Sequence, residues 1–333
     1  MNMNQWLNDT IHSPIKKSMP VLSFPGIQFM GINIEELVKS AENQAICMET
    51  IAKEFDSWIS VSLMDLSVEA EAFGSHVVYS ADEVPTIEKP LIQDEEAANK
   101  LEIPAVGAAR TGVCVEGIRM AVEKIQDKPV FAGIIGPFSL AGRLLDMTEV
   151  MYLCYDDEEL LHTVLKKATA FLIAYTKAFK EAGAAGIVLA EPAAGLLSPN
   201  LIKEFSNPYV QELREAVEDD EFLVVYHNCG NVKPILKELH DMHAKAYSFG
   251  NSVDMELAVS SMPEGSLVIG NLDPSMVFVG GTPESIREDT LNLLERCSKY
   301  PNFVIASGCD IPAHTPLENI RAFFGAVDEF YSR

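Results

Sequence analysis

The sequence is short of positive charge. It holds 25 lysines and arginines against 49 aspartates and glutamates, a formal net charge of −24. Such a surface repels phosphate backbones and anionic lipid headgroups, so neither nucleic acid nor a membrane is expected as a partner. Long apolar runs are missing too. None approaches the roughly 20 residues that cross a bilayer. The opening Met1-Asn2-Met3-Asn4-Gln5-Trp6 has no basic stretch leading into an apolar core, so no secretory signal is expected there. Cysteine is scarce, at six in 333 residues. That is too few for a disulfide framework and points to a reducing cytoplasm. No glycine-rich phosphate loop follows the first apolar run, where Phe24-Pro25-Gly26-Ile27-Gln28 stands. This argues against an open dinucleotide-binding sheet.

What the chain does have is alternation. Eight apolar runs, at 21–24, 58–63, 130–135, 186–189, 222–226, 246–249, 266–269 and 303–306, are separated by longer segments. Several of these segments have helical period, such as 158–182, 200–217, 283–297 and 316–331. Unbroken apolar strands alternating with helices predict a parallel sheet buried on both faces. Eight such units close a (β/α)8 barrel. The expected architecture is therefore an α/β TIM barrel, one domain over residues 1–333 with an N-terminal helical insertion. Residues 80–110, with Pro85, Pro90 and Pro104, read as a helix-containing insertion over the barrel mouth. The string Thr315-Pro316-Leu317-Glu318 predicts a helix start, with threonine as N-cap and glutamate at the third position.

In such a barrel the reactive groups come from the C-terminal ends of the strands. Those ends carry Asp65 and Glu69, Gly136-Pro137, Glu191, His227 and Cys229, Asn251, Asn271 and Asp273, and Cys309 with Asp310. Residues i and i+2 of an extended chain share a face, so His227 and Cys229 can grip one ion together, with Cys309 joining from a later strand. One imidazole and two thiolates suit zinc and leave a fourth position open, which Asp310 or His314 could fill. Asp65 and Glu191 are the candidate proton donors, although Glu191 reads equally well as an acid tied to backbone N–H groups. Asn251, Asn271, Asp273 and His314 are the candidate substrate contacts. Cys47, Cys114, Cys154 and Cys297 lie in helical patterns and read as core residues. A structural zinc site in a non-catalytic protein is the alternative, but such sites fill all four positions with protein ligands.

Several strings carry a family likeness. His227-Asn228-Cys229-Gly230-Asn231, Gly270-Asn271-Leu272-Asp273-Pro274, Gly281-Thr282-Pro283-Glu284 and Ser307-Gly308-Cys309 resemble the uroporphyrinogen decarboxylase superfamily. Within it the chain is similar to the zinc-dependent corrinoid methyltransferases. These include methylcobamide:coenzyme M methyltransferases and demethylating enzymes that act with a separate corrinoid protein. The resemblance implies zinc at the barrel mouth, held by His227, Cys229 and Cys309. It also implies a cobalt corrinoid on a partner protein and a small thiol or methylated compound as the other substrate. In one direction a thiol loses its proton at zinc and takes the methyl group. In the other, zinc polarises a methyl ether and Glu191 or Asp65 protonates the leaving oxygen.

A uroporphyrinogen decarboxylase-like carboxy-lyase is the alternative. The true decarboxylases hold their polyanionic substrate through an arginine-rich segment near the first strand. Here Pro20-Val21-Leu22-Ser23-Phe24-Pro25-Gly26-Ile27-Gln28-Phe29-Met30 contains no arginine. The coenzyme M branch tends to carry an acid shortly after the strand that follows His-x-Cys. Here Tyr247-Ser248-Phe249-Gly250-Asn251 has none, and Asp254 is the first. The sequence thus leans toward the demethylating enzymes.

Overall fold

The computed structural model of the protein describes residues 1–333. Nine strands form: β1 (Ser60–Val61), β2 (Val77–Val78), β3 (Thr86–Ile87), β4 (Val130–Ile135), β5 (Gly186–Ala190), β6 (Leu223–Asn228), β7 (Ala246–Phe249), β8 (Leu267–Leu272) and β9 (Phe303–Ser307). Seven make one parallel sheet in the order β1-β4-β5-β6-β7-β8-β9. The eighth stave is residues 18–22. Met19 N donates to Ile305 O of β9 at 3.0 Å, and Trp58 N donates to Ser18 O at 3.1 Å. The curled sheet thereby closes into the expected (β/α)8 barrel.

The first stave differs from the expected strand at 21–24. Pro20 has no N–H to give to a ladder, so its hydrogen bonding is sparse. Phe24–Gly26 is already a 3-10 turn. Two further expectations are corrected. The helix at 200–217 is two helices, Pro199–Phe205 and Asn207–Val217. Pro208 lacks the N–H that a continuous helix would need there. The last helix is Leu317–Tyr331, with Pro316 as N-cap and no side-chain cap. The Thr315 hydroxyl is buried without a partner instead of capping.

Side chains alternate across the strands and make two cores. Val61, Phe131, Val188, Leu223, Val225, Ala246, Leu267, Ile269, Val304 and Ala306 fill the lumen, with Met19 and Val21 from the first stave. The residues between them, such as Ile187, Leu189, Val224, Tyr226 and Tyr247, face the surrounding helices. The lumen is plugged from below. Helix Met3–His12 turns Met3, Leu7 and Ile11 into it, at the spacing of one helical face. It sits at the N-terminal ends of the strands, where Met3 N bonds Asp220 O and Lys245 Nζ bonds Asn4.

The segment after β1 carries the antiparallel hairpin β2–β3 and the helix Glu95–Lys100. The amide of Ile34 donates to Ala81 O at 3.0 Å, and Leu91 and Ile92 both donate to Leu144 O at 2.9 Å. These bonds tie the insertion to the C-terminal side of the barrel. No helix is long and apolar enough to cross a membrane.

Because Leu7 is buried in the lumen core, Leu7→Ala is expected to lower the unfolding free energy by ~2–5 kcal/mol in urea titration. A loss below about 0.5 kcal/mol, the size of an ordinary surface change, would show that the helix does not seal the barrel.

Candidate metal centre

The lumen phase of β6 runs Leu223, Val225, His227. It therefore aims the imidazole inward at the C-terminal mouth, and Cys229 follows two residues later. Cys309 lies two residues past β9. The donor atoms of His227, Cys229 and Cys309 all fall within 4.8 Å of one another. Two glycines permit this crowding. A Cβ on Gly250 would lie 2.5 Å from Cys229 Cα, and one on Gly308 would lie 2.8 Å from Asn251 N.

His227 is 2% exposed. One ring nitrogen, Nδ1, is 2.9 Å from the Ser248 hydroxyl. The other, Nε2, is buried with no partner. An orphaned nitrogen there is costly unless something occupies the space in front of it. Ser248 sits directly across from His227 in the β6–β7 register. The Cys309 thiol beside Cys229 pulls Cys229 down to about 7. The same contact, reinforced by burial, pushes Cys309 up to about 12. The pair therefore releases its first proton easily and holds the second. One imidazole nitrogen in need of a partner and two adjacent sulfurs fit a soft, thiophilic ion.

The two candidate proton donors are committed elsewhere. Glu191 continues the outward phase of Ile187 and Leu189, so it points to the helical layer. Its carboxylate accepts from Phe138 N at 3.0 Å and Ser139 N at 2.6 Å, closing the start of helix Pro137–Leu145. Burial pushes it up to about 7 against the pull of the Ser139 and Phe138 groups. Asp65 is buried in an ion pair with Arg110 and also accepts from Ser67 N at 3.0 Å. Arg110 is shared with Glu71, 2.7 Å from its Nε. As placed, Glu191 holds the start of one helix and Asp65 holds a guanidinium.

The remaining candidates divide. Asn251 donates to Asp273 at 2.7 Å beside Gly308, at the edge of the trio. Asp273 also accepts from Ser275 N and Met276 N at 2.8 and 2.9 Å. Asn271 donates its amide to Gly250 O and Val253 O, both at 2.8 Å, and braces the β7 loop. His314 is 60% exposed, 3.9 Å from Asp82 on the insertion. Neither it nor Asp310 joins the group of donor atoms. Asp254 caps helix Met255–Ser261 and pairs with Arg296, outside the site. Sequence reasoning missed Ser248. Its signal was present, a hydroxyl two residues after Ala246 in the lumen phase of β7.

Comparison with known proteins agrees with this fold. The family model for uroporphyrinogen decarboxylase (URO-D) matches residues 18–330. The chain is 28% identical over 261 residues to the methylcobamide:CoM methyltransferase MtbA of Methanosarcina acetivorans, across 77% of this chain and 75% of that one. It is 30% identical over 227 residues to the methylcobamide:CoM methyltransferase MtaA of Methanosarcina barkeri, across 67% of this chain and 65% of that one. A solved methyltransferase from Methanosarcina mazei superimposes with a TM-score of 0.87 at 25% identity, covering 99% of both chains. The barrel, its plugged lumen and its mouth thus belong to a member of the uroporphyrinogen decarboxylase family.

Proposed function

We propose that the protein is a zinc-dependent methyltransferase that moves a methyl group between a cobalt corrinoid, carried by a partner protein, and a small thiol or methylated compound. The observation that carries this is the convergence of His227, Cys229 and Cys309 around a buried nitrogen with no partner of its own. The relatives named as methylcobamide:CoM methyltransferases support the chemistry. Zinc held there would supply Lewis acidity to the sulfur or oxygen of the small substrate.

The chain's own residues supply the rest. Ser248 fixes the imidazole so that Nε2 faces the mouth. Cys229, with its lowered proton affinity, is ready to bind as thiolate. Gly250 and Gly308 let the rim loops close on Cys229 and Asn251, which brings the donor residues together. Glu191 and Asp65 act as positioning residues. Glu191 fixes the helix that begins at Pro137, and Asp65 anchors Arg110. No carboxylate from the β7 loop reaches the donor group, since Asp254 is engaged with Arg296. That favours a methylated compound over coenzyme M as the small substrate.

Metal analysis tests the site. Cys229→Ala and Cys309→Ala are expected to be isolated without zinc, and Ser248→Ala to bind it ~10–100-fold more weakly. Unchanged zinc content in both cysteine variants rejects the assignment. The reaction is followed by the visible spectrum of the corrinoid. Methylcobalamin with thiols, or Co(I)-cobalamin with methyl ethers, is expected to show demethylation or methylation of cobalt. No spectral change with any pair counts against both directions. Uroporphyrinogen is expected to yield no coproporphyrinogen, because residues 20–30 offer its carboxylates no arginine.

A further inference from the structure

We infer that Asn271 is a positioning residue for the metal centre: it holds the dipeptide Gly250-Asn251 as the spacer that sets the separation of Cys229 and Cys309. The inference rests on the zinc reading above and extends it to residues that would not touch the ion.

Cys229 and Cys309 stand just past the ends of β6 and β9, which are not neighbours in the sheet, since β7 and β8 lie between them. Two sulfurs about 2.3 Å from one tetrahedral ion lie about 3.8 Å apart. The separation of the two arms therefore decides whether both sulfurs reach the same ion. The turn after β7 fills the interval. Gly250 backs onto the first arm. Its N donates to Asn228 O at 3.1 Å, and a Cβ on it would lie 2.7 Å from Cys229 O. Asn251 backs onto the second arm, where a Cβ on Gly308 would lie 2.8 Å from Asn251 N. These are contacts of backbone on backbone, with no side chain between them to absorb a shift. Moving the dipeptide moves one cysteine relative to the other.

The end of β8 fixes the dipeptide. The Asn271 amide spends both of its hydrogens there, donating to Gly250 O and to Val253 O at 2.8 Å each. One planar side chain thus locks the turn 250–253 at both ends. Asn271 is buried, so losing its amide leaves both carbonyls short of a donor. The next residue, Leu272, accepts from Gly308 N at 2.6 Å. The end of β8 is therefore the common base of the spacer and of the arm that carries Cys309.

The test measures two quantities on folded variants of the full chain. One is zinc affinity by chelator competition. The other is the visible spectrum of the Co(II)-loaded protein, which reports the geometry of the donor set. Asn271→Leu nearly keeps the shape, adds no charge and loses both donors. It is expected to bind zinc ~10–100-fold more weakly than the wild type and to shift the Co(II) bands. Asn319 supplies the control. Its buried amide bridges Phe278 O and Gly281 O at 2.8 and 3.0 Å, the same chemistry at the far end of the loop after β8. Asn319→Leu is expected to lower the unfolding midpoint yet leave zinc affinity and the Co(II) bands unchanged. Equal losses of zinc affinity in the two leucine variants overturn the inference, because the effect is then one of stability alone. If Asn271→Leu does not fold, Gly308→Ala asks the question from the other arm, since its Cβ would press on Asn251. The same weakening is expected there. Wild-type affinity and bands in whichever of the two folds overturn the inference and leave the zinc reading standing. Wild-type protein that takes up no zinc removes the zinc reading and this inference together.

Discussion

The phase of side chains along β6 is the constraint on which the site depends. Leu223 and Val225 must face the lumen because their neighbours Val224 and Tyr226 fill the outer core. Once that is fixed, His227 has no choice of side. A slip of one residue would turn the imidazole into the helical layer and send Tyr226 into the lumen. The register with β7 then sets Ser248 opposite His227, and the hydroxyl decides which ring nitrogen is left free. Barrel closure does the remaining part by bringing the end of β9 and Cys309 within reach.

The same alternation separates the polar groups into two kinds. Residues in lumen phase, His227 and Ser248, build the site. Residues in outer phase, Glu191 among them, hold the helices around it. Glu191 and Asp65 look alike in sequence, since each acid follows a buried apolar run. In the fold each has bonds that fix a neighbour: Glu191 the helix beginning at Pro137, Asp65 the guanidinium of Arg110. A buried acid at a strand end is reactive only when its bonds leave a proton free to move. Breaking either arrangement would strand a buried polar group, a structural cost that falls on the mouth indirectly.

Much of the barrel was legible because strands buried on both faces carry no polar residue to blur them. The run at 130–135 and the run at 246–249 match β4 and β7 end to end. The polar strand ends were less legible. β6 continues through His227 and Asn228, and β8 through Leu272, where composition suggests a loop. The first stave was misplaced because Pro20 leaves it with few ladder bonds. The plug helix went unread because nothing local says that Met3, Leu7 and Ile11 seal a barrel bottom. The trio was readable from the i, i+2 spacing of His227 and Cys229 plus a distant Ser-Gly-Cys. The Arg110 ion pairs were not, since contacts over 39 and 45 residues leave no local trace.

The central claim is that one imidazole and two sulfurs from these three residues bind a single zinc ion. X-ray absorption at the zinc edge of the purified full chain tests it most directly. The account predicts two sulfur scatterers at about 2.3 Å and at least one nitrogen or oxygen at about 2.0–2.1 Å. A first shell of nitrogen and oxygen alone, with no sulfur, would contradict it.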